Sequence, residues 1–199
     1  MSTESKPRAS QALAKRLQDE LMALTMNPEV GVSAFPDGDT LYRWVGTIEG
    51  PINTAYDGLT YKLTFVFPSD YPFKPPTVMF RTPCFHPNVS KTGGICLDIL
   101  SSKWSAMLDI RTILISIRSL LAGENSQLSG GIFTLNDEPA NLESKNTRNP
   151  ITFSNSPDPN INSPLNTTAA TLWADQKEFR KVLLEEYNRD VRKVTDGNS

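Results

Sequence analysis

The chain has 199 residues, 38% of them apolar, which suffices for one core of ordinary size and predicts a single domain over 1–199. With 22 acidic against 20 basic side chains and a formal charge of −2, it lacks the bulk positive field of a nucleic-acid binder. No apolar run approaches a membrane span, the N-terminus has no signal-peptide core, and two cysteines suit a reducing cytoplasm or nucleus better than a disulfide scaffold.

Residues 1–9 are small, polar or charged and are expected to form a flexible N-terminus. Ser10 is placed as an N-cap for a helix whose stripe is Leu13, Leu17, Leu21 and Leu24, with Lys15, Arg16 and Asp19 left for solvent. Asn27-Pro28 ends it. Leu41–Ile48 is an apolar-rich run, and Leu59, Tyr61, Leu63, Phe65 and Phe67 alternate with Thr60, Lys62, Thr64 and Val66, the period of an antiparallel strand. Pro68, Pro72, Pro75 and Pro76 then impose a rigid loop before a short strand near Thr77–Phe80. Asp109 caps a second helix buried through Ile113, Leu114, Ile117, Leu120 and Leu121. Ser163-Pro164 reads as N-cap plus N1 proline of a short helix through Trp173. Asp175 and Glu178 have capping-box spacing ahead of a last helix with Phe179, Val182, Leu183 and Tyr187 on its apolar face. One helix, a meander of about four strands, then three helices make an α+β fold. Residues 122–157, rich in Asn and Ser and without sustained period, read as an insertion in the loop after the second helix.

Between the strands and the second helix lies HPNVSKTGGICLDIL, residues 86–100, which holds the only histidine and one of the two cysteines. A lone cysteine between Ile95 and Leu97 is ordinarily a buried small hydrophobe. Only the surrounding pattern reverses that reading. To act as a nucleophile in acyl transfer, a thiol needs to be accessible, with room for the acyl group and a donor for the developing oxyanion. Gly93-Gly94 ahead of Cys96 would let an incoming peptide tail approach closely. Asn88 offers an amide donor, or equally a turn residue satisfying local backbone. Cys84, at the end of a strand, has no motif around it.

His86-Pro87-Asn88, a cysteine eight residues beyond Asn88, and the frame GGICLDIL resemble the active-site signature of ubiquitin-conjugating enzymes. FPSDYPFKPPTVMF (67–80), KWSAMLDIRTILISIRSLL (103–121) and SPLNTTAATLW (163–173) extend the resemblance, which covers about residues 11–121 and 158–199. Within the family, TPCFHPN, KWSAMLDIRTIL and SPLNTTAATLW are most similar to cyclosome-type (anaphase-promoting complex) members, which ubiquitinate mitotic regulators. The resemblance implies the family fold and a Cys96 thioester accepted from an activating enzyme and passed to substrate lysines with a RING-type ligase. Asn88 is then an oxyanion donor or loop organiser, and His86 and Pro87 are structural. Ser163 stands where many members have an aspartate that orients and deprotonates the attacking lysine. A serine accepts a hydrogen bond but supplies no fixed charge, and cyclosome-type members also carry it. Asp98 is a weaker candidate for positioning the acceptor. Phe73, Ser105 and Ala106 match the ligase-binding loops, and Lys15 and Arg16 match positions that contact the activating enzyme, although Asp19 replaces a position that is often basic. No metal or cofactor is implied, ATP being consumed by the activating enzyme, and no nucleic-acid or membrane partner; the place of work would be cytoplasm and nucleus.

Three other readings stand beside this one. A Cys-His-Asn hydrolase would use the same residue types, but such partners ordinarily converge from distant parts of the chain, whereas here they share one loop. A metal site has no matching ligand spacing. The fold could also be a binding module silenced by 122–157. Arg111-x-x-Leu114 has the form of a destruction box, yet Leu114 belongs to the buried helical stripe.

Overall fold

The computed structural model describes residues 5–123 and 163–196, with side chains over 11–123 and 163–189. Of the segment 122–157, only 122 and 123 lie within the described residues. The elements are α1 (Ser5–Met26), β1 (Val32–Asp37), β2 (Thr40–Glu49), β3 (Thr60–Val66), β4 (Thr77–Phe80), α2 (Ile110–Ala122), α3 (Thr167–Leu172) and α4 (Gln176–Asp196). The strands form one antiparallel sheet in the order β1-β2-β3-β4, the α+β meander that the segregation of strands from helices along the chain predicts.

The period-two pattern becomes three inward-facing rows. Trp44 pairs with Phe65 and Phe65 with Val78; Gly46 with Leu63 and Leu63 with Phe80; Val32 with Ile48 and Ile48 with Tyr61. All are buried, while Thr60, Lys62 and Val66 between them face outward. Helix α2 lies over this face. Gly46 is what admits it: a Cβ there would stand 2.7 Å from the Phe65 ring and 3.2 Å from Leu114 Cδ2. Ile113, Leu114 and Ile117 are fully enclosed, each contributing on the order of 1.5–3 kcal/mol by leaving water. Asp109 caps α2 as its position suggests, accepting from Thr112 N at 2.7 Å and Thr112 Oγ1 at 2.6 Å. Asp175 accepts from Glu178 N at 3.1 Å ahead of α4, whose Phe179 and Leu183 are buried.

Two helix starts differ from the sequence reading. Helix α1 begins at Ser5, five residues before the expected Ser10 cap, and so takes in 5–9 of the expected flexible N-terminus. Pro7 lies in the first turn, where its missing N–H costs nothing, and the Ala, Lys, Arg and Gln that follow are good helix formers. Helix α3 is capped by Asn166, not Ser163, because the Leu165 and Asn166 amides are drawn to a distant carbonyl (below) and the chain turns helical only at Thr167. Strand β1 carries Pro36 and is short; its pairing with β2 and a register shift after Pro36 make it a strand that local pattern does not announce.

Candidate active site

Residues 88–96 form a small hairpin. Val89 bridges Ile95, Ser90 N donates to Gly94 O at 2.8 Å, and Ser90 Oγ accepts from Gly94 N at 2.9 Å. Its register sets Asn88 opposite Cys96, and Cys96 N donates to Asn88 O at 2.9 Å. Cys96 is exposed and Asn88 is buried at 2% exposure. Gly93, the first of the glycine pair, has a different use from the one expected. Gly93 has φ +86°, and a Cβ there would fall 2.3 Å from Phe80 O, so its bare backbone admits β4 and not an incoming peptide. Phe80 N donates to Gly93 O at 2.9 Å, tying the hairpin to the sheet.

The loop before the hairpin is held from behind by aromatic side chains. The His86 ring meets Trp173 edge-on at 5.2 Å, Trp173 meets Phe179 at 5.0 Å, and Tyr56 Oη donates to Phe85 O at 2.9 Å. His86 is fully buried and its Nδ1 accepts from Asn88 N at 3.0 Å, which puts the ring proton on Nε2. Burial holds its pKa down to about 3, against a weaker pull upward from the Leu120 carbonyl. A neutral ring already spent on a backbone amide does not serve a Cys-His hydrolase as base. The Pro87 carbonyl accepts from both Leu165 N (2.8 Å) and Asn166 N (3.1 Å), so the segment just after Ser163 docks on the loop that carries Asn88. Ser163 is exposed at the start of that segment. Asp98 opens a single 3-10 turn, Asp98–Leu100, after Cys96; its Oδ1 accepts from Ile99 N at 2.8 Å and its Oδ2 pairs with Lys103 Nζ at 2.5 Å. Cys84 is buried among apolar neighbours, which pushes its thiol pKa well up. Among the described residues no group of three His, Cys, Asp or Glu is placed to hold a metal, and no helix is long and apolar enough to cross a membrane.

The proline-rich loop and the loop before α2 lie side by side. Trp104 Nε1 donates to Pro72 O at 2.8 Å and its ring lies 5.9 Å from that of Tyr71. Phe73 projects with 82% exposure, and Ser105 is exposed with Ala106 half-buried. Lys15 is exposed and pairs with Asp19 at 3.2 Å. Arg16 is not the free surface cation that the sequence suggests. Its Nε donates to Glu20 Oε1 at 2.5 Å, Nη1 to Ala106 O at 3.2 Å and Nη2 to Leu108 O at 2.8 Å. Glu20, at 7% exposure, also accepts from Tyr71 Oη (2.6 Å) and Ile110 N (2.9 Å). Burial, and then that carboxylate, raise the Tyr71 pKa. Glu20 went unnoticed in the sequence because two of its three partners, Tyr71 and Ile110, lie 51 and 90 residues away. Asn166 had a usable signal, an Asn followed directly by TTAATL, but Ser163-Pro164 offered a stronger local one.

The family model described as ubiquitin-conjugating enzyme matches residues 16–147. Ubiquitin-conjugating enzyme E2-20 kDa of Schizosaccharomyces pombe is 40% identical over 178 residues, 88% of this chain and 81% of that protein. The E2 domain of a Toxoplasma gondii ubiquitin conjugating enzyme superposes with a TM-score of 0.64 at 32% identity, over 88% of this chain and 96% of that one. An exposed thiol in a sheet-anchored hairpin, the four-stranded meander around it and these likenesses agree: the chain belongs to the ubiquitin-conjugating enzyme family.

Proposed function

We propose that Cys96 accepts ubiquitin as a thioester from an activating enzyme and that the ubiquitin then passes to a substrate lysine held by a RING-type ligase. The observation that carries this is the exposed Cys96 set opposite Asn88 by the 2.9 Å hydrogen bond across the hairpin. In the first step the Cys96 thiolate displaces the activating enzyme's cysteine from the ubiquitin carbonyl. In the second, a free lysine amine attacks that carbonyl, the C–N bond forms, the C–S bond breaks, and the Cys96 thiolate leaves while the amine gives up a proton. Asn88 serves the oxyanion or the loop, and Ser163, with Asp98 more weakly, lies on the acceptor side. Lysine is cationic at neutral pH, with a pKa of about 10.4, so the acceptor side must favour the free amine without a fixed charge at Ser163. ATP is consumed upstream by the activating enzyme, and the chain itself needs no metal or cofactor.

The ligase would meet Phe73, Ser105 and Ala106, the activating enzyme Lys15 and the exposed edge of Arg16. TPCFHPN, KWSAMLDIRTIL and SPLNTTAATLW support assigning the ligase as the anaphase-promoting complex, with mitotic regulators as substrates in cytoplasm and nucleus. The test is incubation with activating enzyme, ATP and ubiquitin, followed by electrophoresis with and without reductant. A reducible adduct, turned stable in Cys96→Ser, is expected, and its absence from the wild type refutes the carrier role. Reconstituted anaphase-promoting complex should accelerate discharge, and Phe73→Ala should abolish that acceleration; indifference to the complex refutes the cyclosome assignment.

A further inference from the structure

We propose that Asn166 is a positioning residue for lysine discharge, acting through the peptide plane between Pro87 and Asn88; the inference rests on ubiquitin transfer from Cys96. That plane is held at both ends. Its carbonyl, on Pro87, accepts from Leu165 N at 2.8 Å and Asn166 N at 3.1 Å, and its N–H, on Asn88, donates to His86 Nδ1 at 3.0 Å. A peptide unit is planar, so fixing both ends places the Asn88 N–Cα bond. The next plane is held by Cys96 N on Asn88 O, and the two planes together set the direction from which the Asn88 side chain departs. The same bond carries the register on to the nucleophile.

The two donors on the Pro87 side depend on Asn166. Its Oδ1 accepts from Ala169 N at 3.1 Å and its backbone O from Ala170 N at 3.0 Å, and the residue is 7% exposed. Helix α3 has six residues, too few to persist without such a cap. The far end of α3 bears Trp173, whose ring packs on His86, the group that holds the other end of the same peptide plane. The Asn166 cap therefore governs both supports of the plane. Ser163, on the acceptor side, stands two residues before Leu165, so the same clamp sets the acceptor-side segment against the Asn88 side.

The experiment compares charging with discharge. Wild type, Asn166→Ala and Asn166→Ser are charged with activating enzyme, ATP and ubiquitin, quenched, and discharged onto free lysine over a range of concentrations, with the thermal unfolding of each protein recorded. Asn166→Ala should charge near the wild-type rate but show a discharge kcat lowered by about tenfold to a hundredfold, as expected for small misplacement of reacting groups. Its KM for lysine should change little, and Asn166→Ser, which restores the cap, should recover most of the rate. If Asn166→Ala does not fold, Asn166→Gly, which removes the same Oδ1 acceptor at a smaller cost in stability, carries the same expectation. Discharge at the wild-type rate in the folded Ala or Gly variant would overturn the proposal. So would parallel losses in charging and discharge, or a folded Asn166→Ser that does not recover. A wild type that forms no adduct would overturn the carrier function and this inference with it, a result distinct from the others.

Discussion

Replacing Glu20 by Gln keeps the shape of the side chain and removes one charge from a site where all three partners are donors. The carboxylate accepts from Arg16 Nε, Tyr71 Oη and Ile110 N. An amide has a single carbonyl oxygen, so its NH2 must face either the Ile110 N–H or the Arg16 and Tyr71 donors. Tyr71 Oη can rotate to accept, and Arg16 keeps the Ala106 and Leu108 carbonyls with 30% of its side chain in water. Ile110 N, at the start of α2, has no such recourse. A lost charge-assisted bond at about 1.5–3 kcal/mol, or a stranded buried amide at about 1–3 kcal/mol, with partial relaxation, gives a loss of about 1–3 kcal/mol. For a chain of this size that lowers Tm by roughly 2–12 °C at about 2–4 °C per kcal/mol. Urea unfolding followed by tryptophan fluorescence measures it, Trp104 reporting the joined loops. A double-mutant cycle with Arg16→Met should give a coupling of about 1–3 kcal/mol. A stability change below about 0.5 kcal/mol, or no coupling, would refute the claim that this buried pair ties α1 to both loops.

Three further outcomes follow from the site. The unfolded chain takes a proton on His86 below about pH 6.5 and the folded chain only near pH 3, so stability is full above 6.5 and falls as pH drops through that window. The slope is about 1.4 kcal/mol per pH unit, or about 2 kcal/mol lost by pH 5, and urea titrations at pH 7 and 5 should show it in wild type and not in His86→Gln. Iodoacetamide at neutral pH should modify exposed Cys96 in the native protein and buried Cys84 only after denaturation, read by peptide mass spectrometry; native labelling of Cys84 contradicts its enclosure. Gly93→Ala, with φ +86° and a Cβ 2.3 Å from Phe80 O, should lose about 2 kcal/mol or more by chemical denaturation, and a neutral result would mean that the hairpin is not pinned to β4 as described.

Much of this architecture was legible in local pattern. The alternation from Leu59 to Phe67, the 3.6-residue stripes of α2 and α4, and the Asp109 and Asp175 caps depend on neighbours within a turn or a strand, and the structure shows each of them. The Cys96 neighbourhood was legible as a family likeness, because its residues lie within one short stretch. Other features are decided between distant parts of the chain. Arg16 looks solvated until Ala106 and Leu108 arrive, Ser163 looks like the cap until Pro87 O draws in Leu165 and Asn166, and Gly93 looks available to a substrate until Phe80 O fills the space. His86 becomes a buried neutral acceptor only when Trp173 and Tyr56 close around it. Periodicity records which face of an element is apolar, whereas hydrogen bonds and close approaches between remote backbones leave no period, and only the folded chain decides them.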